Sequence, residues 1–237
     1  MRAMKTGLTA AMVLLASVIG AAPPALASAA SAPYVSRAPI AEYMMASPEA
    51  EIALAKSAAP PSISDDAEVL VLGPQGYNSA IKGKNGFVCL VERSWDAEFS
   101  NPAFWNQNVR GPDCLNPAAA RSVLPHFLER TTWALAGLSI PQMIERTKAE
   151  LAAKTYVLPE PGAMAFMLSK QQRLSDQGTH HWHPHLMFFV ANMSDADFGA
   201  NLPGSPVLHP FATEPDPVAT FLVPVDTWSD GTHDVKM

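Results

Sequence analysis

The chain is short of charge: Asp, Glu, Lys and Arg make up 16% of its 237 residues, against about 25% in an ordinary soluble domain. Lys and Arg form no cluster, so no basic stripe exists to follow a phosphate backbone, and nucleic acid is excluded as an expected partner. Composition singles out no other partner. Cysteine is limited to Cys89 and Cys114, neither near the cleavage point where a lipoprotein would carry one. Beyond the first 24 residues no apolar run approaches the roughly 20 residues of a membrane-spanning helix. Internal repeats and a His-Glu-x-x-His helix are also missing.

What is present begins with Met1-Arg-Ala-Met-Lys-Thr6, which is basic, and an apolar run from Leu8 to about Ala22 that closes on Ala25-Leu-Ala27. That order is a signal peptide over residues 1–27. It predicts cleavage near Ala27, export to the periplasm or beyond, and no transmembrane anchor in the mature chain. Loss of Arg2 and Lys5 takes the formal charge from −6 to −8. Residues 28–46 read as a flexible Ala/Ser/Pro-rich lead-in, 47–230 as one globular domain and 231–237 as a frayed tail. In an oxidising compartment Cys89 and Cys114 are expected to form a disulfide, the alternative being two buried thiols.

The expected fold class is α+β, an antiparallel sheet of about five to six strands covered by two or three helices. Ser47-Pro48-Glu49 opens a short helix. Segments 68–72, 77–82 and 87–93 read as an antiparallel meander, with Asn85-Gly86 as its second tight turn. Residues 94–115 read as a loop tied down by Trp95, Phe99, Phe104 and Trp105. Asn116-Pro117 starts a helix that Pro125 should kink, and Ser139 with Gln142 caps another that runs to about Lys154. Strands follow at 163–168, 185–190 and 218–225, with Pro224 at a sheet edge.

Four of seven histidines, His180, His181, His183 and His185, fall within six residues. The stretch is extended before Pro184, which sets His181, His183 and His185 on one side at steps of about 6.5–7 Å. Imidazoles so placed suit a divalent transition metal such as zinc. His181 and His185 would stand about 13 Å apart, so a full site needs a bend or ligands from elsewhere, with Glu92, His126 and His209 as candidates. Structural stacking, acid–base catalysis and recognition of a small ligand are the other readings. Glu92 and Arg93 close an otherwise apolar strand, so whichever points inward needs a partner.

The segments Phe87-Val-Cys-Leu-Val-Glu-Arg-Ser-Trp95, Asn116-Pro-Ala-Ala-Ala120 and His181-Trp-His-Pro-His-Leu-Met-Phe188 resemble those of an uncharacterised family of exported bacterial proteins, over most of residues 47–230. The resemblance implies a shared fold and export, and no activity. The expected function is therefore an exported protein with a metal or small-ligand site at the histidine-rich strand mouth. Its rival is a non-catalytic cell-envelope interaction module that docks through the aromatic loop from Trp95 to Trp105, with structural histidines.

Overall fold

Helix α1 (Pro48–Lys56) starts where its capping chemistry predicts: Ser47 Oγ accepts from Ala50 N at 3.2 Å, and proline occupies the first turn. The computed structural model to which it belongs describes residues 34–176, 182–191, 193–210 and 217–234. The expected signal segment 1–27, with its cleavage point at Ala27, and His181 lie outside the described residues. Further helices are α2 (Pro61–Ser64), α3 (Pro117–Ser122), α4 (Leu124–Leu135), α5 (Ile140–Ala153) and α6 (Asp195–Phe198). Asn116 Oδ1 caps α3 through Ala119 N, and Gln142 Oε1 accepts from Ser139 N at the head of α5. The kink expected at Pro125 is a full break at Val123, with Pro125 in the first turn of α4, where its missing N–H costs nothing. No helix among the described residues is long and apolar enough to cross a membrane.

The strands are β1 (Glu68–Gly73), β2 (Gly76–Ile81), β3 (Val88–Glu92), β4 (Gly111–Leu115), β5 (Met164–Met167), β6 (His185–Ala191) and β7 (Val218–Pro224). They form one sheet in the order β2-β1-β3-β4-β5-β6-β7. The α+β class stands. The expectation of five to six antiparallel strands and two or three helices gives way to seven strands in a mixed sheet and six α-helices among the described residues. The extra strand is β4, which the sequence reading placed inside a loop.

The parallel neighbours are β1 and β3, paired Glu68 to Val88 and Val69 to Cys89. The segment between β2 and β3 is a crossover beneath the start of β1, and the expected hairpin at Asn85-Gly86 is not formed. Lys84 N donates to Asp66 O and Glu68 N to Phe87 O. A Cβ on Gly83 would lie 2.1 Å from Glu68 N, so only glycine lets the two backbones pass so closely. Gly86 still takes a positive φ of 79°.

The sheet is covered on both faces. Leu54 and Ala55 of α1 pack on Val69, Cys89, Val91 and Cys114. On the other face α3 and α4 cover Leu90, Leu115, Met167, Met187 and Phe189. Trp95, Phe99, Phe104 and Trp105 form a buried aromatic cluster with Trp133 of α4 and Met143 of α5. Cys89 and Cys114 face each other across β3 and β4 and are joined as a disulfide.

Two boundary expectations are corrected. Within the lead-in, Tyr43 is fully buried and its hydroxyl donates to Trp105 O at 2.9 Å. At the other end Trp228 is 5% exposed, and Asp234 N donates to Asp226 O at 2.8 Å, so residues 231–234 are held in place and not frayed.

Arg93 ties these layers together. Its Nη2 lies 2.9 Å from Glu51 Oε1, with both side chains buried, and its Nε donates to Tyr43 O. Glu51 Oε1 also accepts from Leu72 N at 3.1 Å. Removing one partner of such a pair strands the other charge in the core, at a cost of about 3–5 kcal/mol. Arg93→Met should lower the urea unfolding free energy by that amount. A loss below about 1 kcal/mol, the usual worth of an exposed pair, would contradict the assignment.

Candidate functional site

Side chains alternate along a strand, and that rule assembles the site. On β3, Val88, Leu90 and Glu92 point toward α3 and α4, while Cys89 and Val91 point toward α1. On β4, Gly111 stands opposite Glu92 and Asp113 opposite Leu90. On β6, His185, Met187 and Phe189 turn inward on that same side. A cavity of about 520 Å³ opens between this face and α4, within the size range of small-molecule sites. Its walls are mainly apolar, with Phe127, Met167, Met187, Phe189 and Leu222 among them. Gly111 leaves room in the floor, since a Cβ there would touch Met167 and Glu92 at 3.4–3.5 Å.

One end of the cavity is acidic. Glu92 and Asp96 line it, and Asp113, fully buried, stands behind them beside Glu92. Asp96 Oδ2 accepts from Arg93 N at 2.9 Å. No donor among the described residues reaches Glu92 Oε1 or Asp96 Oδ1. Burial, reinforced by the neighbouring charge of Asp113 and a hydrogen bond to it, holds the Glu92 carboxyl well above the usual range. Burial also pushes Asp113 up to about 7. Asp96 is likewise pushed up to about 7 by burial, against the pull of Arg93 and Arg130. Two hydrogen-bonded carboxyls with a third nearby, all raised by burial, are an arrangement concentrated at functional sites.

The opposite end carries His185 and Trp182. His185 is 2% exposed, and burial brings it down to about 4, so it is neutral at pH 7. Its Nδ1 lies 2.7 Å from His183 O. A carbonyl only accepts, so Nδ1 carries the hydrogen and Nε2 is left as an acceptor. The Trp182 ring sits 4.8 Å from the His185 ring and also lines the cavity. Three strand spacings, about 14 Å, separate the strands of Glu92 and His185.

The other sequence candidates divide. His126 lines the cavity, stacks on Tyr156 at 3.9 Å and donates from Nε2 to Val157 O. His183 is engaged by Asp234 through Nδ1 and does not line the cavity. The strand begins only at His185, so the expected common side for His183 and His185 does not form. His209 bonds Asp195 through Nδ1 at 2.6 Å and packs against Phe221, while its neighbours Leu208 and Pro210 reach the cavity. Among the described residues no three His, Cys, Asp or Glu side chains are placed to hold a metal ion.

The structure thus gathers Glu92, His126 and His185 around one space and sets His183 and His209 apart. Sequence reasoning missed Asp96, Asp113 and Arg130. Asp113 had a signal: if Cys114 faces Cys89, its neighbour must face the other side, toward Glu92. No family model, curated protein or solved structure matches the chain.

The acid end sets a pH dependence. Asp96 and Asp113 are raised above their unfolded values near 3.9, so the folded state binds more protons than the unfolded state up to about pH 7. Stability should therefore fall as pH rises through that window. His185, lowered to about 4, opposes this between about pH 4 and 6.5, but it is one group against three. Melting temperature should decline from pH 5 to 8. Asp113→Asn should melt close to wild type at pH 5 and about 3 °C or more above it at pH 8, the shift expected for about 1 kcal/mol at this chain length. Parallel curves for the two proteins would show that Asp113 is ionised and well solvated throughout.

Proposed function

We propose that this is an exported protein whose cavity binds a small, largely apolar molecule lying between the acid end at Glu92 and the aromatic end at Trp182 and His185. The observation that carries the reading is the cavity itself. About 520 Å³ of mainly apolar space is flanked by buried polar groups at two ends, the usual composition of a small-molecule site. An apolar occupant would gain about 25 cal/mol for each Å² it removes from water, and the polar ends would orient it. Export is supported by the basic start and apolar run of residues 1–27 and by the disulfide. Binding accounts for the site without a chemical step.

The rival docking surface loses its anchor residues. Trp95, Phe99, Phe104 and Trp105 are between 0% and 7% exposed, so they serve the core and offer no aromatic face to a partner.

N-phenyl-1-naphthylamine, a neutral apolar fluorophore, should brighten on binding the full mature protein at micromolar concentration. Thr220, which lines the cavity from β7, offers a way to fill it: Thr220→Trp should weaken binding at least tenfold with little change in the urea midpoint. Equal binding by the two proteins would place the fluorophore elsewhere. No binding to wild type would remove the reading.

A further inference from the structure

The acid end restricts what the bound molecule can be. Glu92 Oε1 and Asp96 Oδ1 are buried acceptors without donors, and both residues line the cavity. Asp96 is only 7% exposed. An unserved buried acceptor destabilises the protein, more so when charged, so a ligand that brings donors removes a cost already present in the empty protein. A ligand that brings further acceptors adds to it.

Charge selects in the same direction. Glu92, Asp96, Asp113 and Glu98 gather at this end. Of the cations lining the same end, Arg93 is matched by Glu51 at 2.9 Å, which leaves the charge of Arg130 against several acids. Arg130 of α4 donates to Ala97 O at 2.7 Å and lies over the Phe99 ring at 4.3 Å. His126 donates to a carbonyl, and His185 stands neutral at the far end. A hydroxyl brings one donor and no charge, whereas a primary ammonium brings three donors and a positive charge. The rest of the cavity is apolar and long enough for a chain.

We infer that the cavity is a site for a primary alkylammonium, with its head between Glu92 and Asp96 and its apolar tail running along β5 and β6 toward Trp182. This rests on the small-molecule reading of the cavity and goes further in naming the head group. The ammonium would donate to Glu92 Oε1 and Asp96 Oδ1, and Asp113 would hold Glu92 in place from behind.

The test is isothermal titration calorimetry of the mature protein at pH 8 with n-decylammonium, n-decanol and decanoate, each below its micelle concentration. Decylammonium should bind at least tenfold more tightly than decanol, and decanoate more weakly than both. Asp96→Asn keeps an acceptor for Arg93 N, so it tests the charge without removing the cap. It should lose at least tenfold for decylammonium and little for decanol. Decanol binding as tightly as decylammonium, tighter decanoate, or an undiminished ammonium affinity in Asp96→Asn would overturn the ammonium assignment while leaving the cavity reading intact. Failure of all three compounds to bind the wild-type protein would overturn both.

Discussion

The register between β3 and β4 is the constraint on which the rest depends. Setting Cys89 opposite Cys114 puts the disulfide on the α1 face. The same register puts Glu92 opposite Gly111 and brings Asp113 onto the face covered by α4. A slip of β4 by one residue would turn Cys114 toward the cavity and Asp113 under α1. Covalent cross-link and acid end are two consequences of one pairing. The bridge closes a loop of about 25 residues, worth about 3 kcal/mol in the chain-entropy model, which helps hold a register whose other face buries carboxyls.

Those carboxyls work against stability. A core built for stability alone would fill the space beside Gly111 and replace Asp113 with an apolar residue. The protein instead keeps three acids around one end of a cavity, two of them fully or almost fully buried. It surrounds them with well-satisfied groups: Arg93 on Glu51 and two carbonyls, Arg130 on Ala97 O, His185 on His183 O. Order is thus supplied around the site while the acceptors inside it remain open. Sites that bind or react are commonly stabilised from their surroundings in this way.

Much of the frame was legible because it follows from local rules. Ser47-Pro48, Asn116-Pro117 and Ser139 with Gln142 each begin a helix as their capping chemistry predicts. The apolar run after His185 is a strand, and Pro224 closes an edge strand. What stayed hidden depends on long-range pairing. Strand β4 reads Gly-Pro-Asp-Cys-Leu, poor in strand-forming residues, and exists because β3 and β5 flank it. The crossover at Gly83 looks locally like a hairpin, and only the passage under β1 distinguishes the two. Glu92 stood out as an acid closing an apolar strand. Asp96 and Asp113 looked like ordinary loop acids, since nothing in a linear sequence shows that three elements bring them together. The histidine cluster stands out by density, yet of its described histidines, His183 and His185, only His185 lines the cavity.

Carbon-13 NMR of the side-chain carboxyls, with Glu92, Asp96 and Asp113 assigned by single substitution, tests the central claim most directly. Glu92 should titrate well above the usual carboxylate range, while Asp96 and Asp113 change their shifts near pH 7. Three carboxyls that all titrate near pH 4, as solvated ones do, would contradict it. The acid end would then be open to water, and the cavity would have no unserved acceptors to offer a ligand.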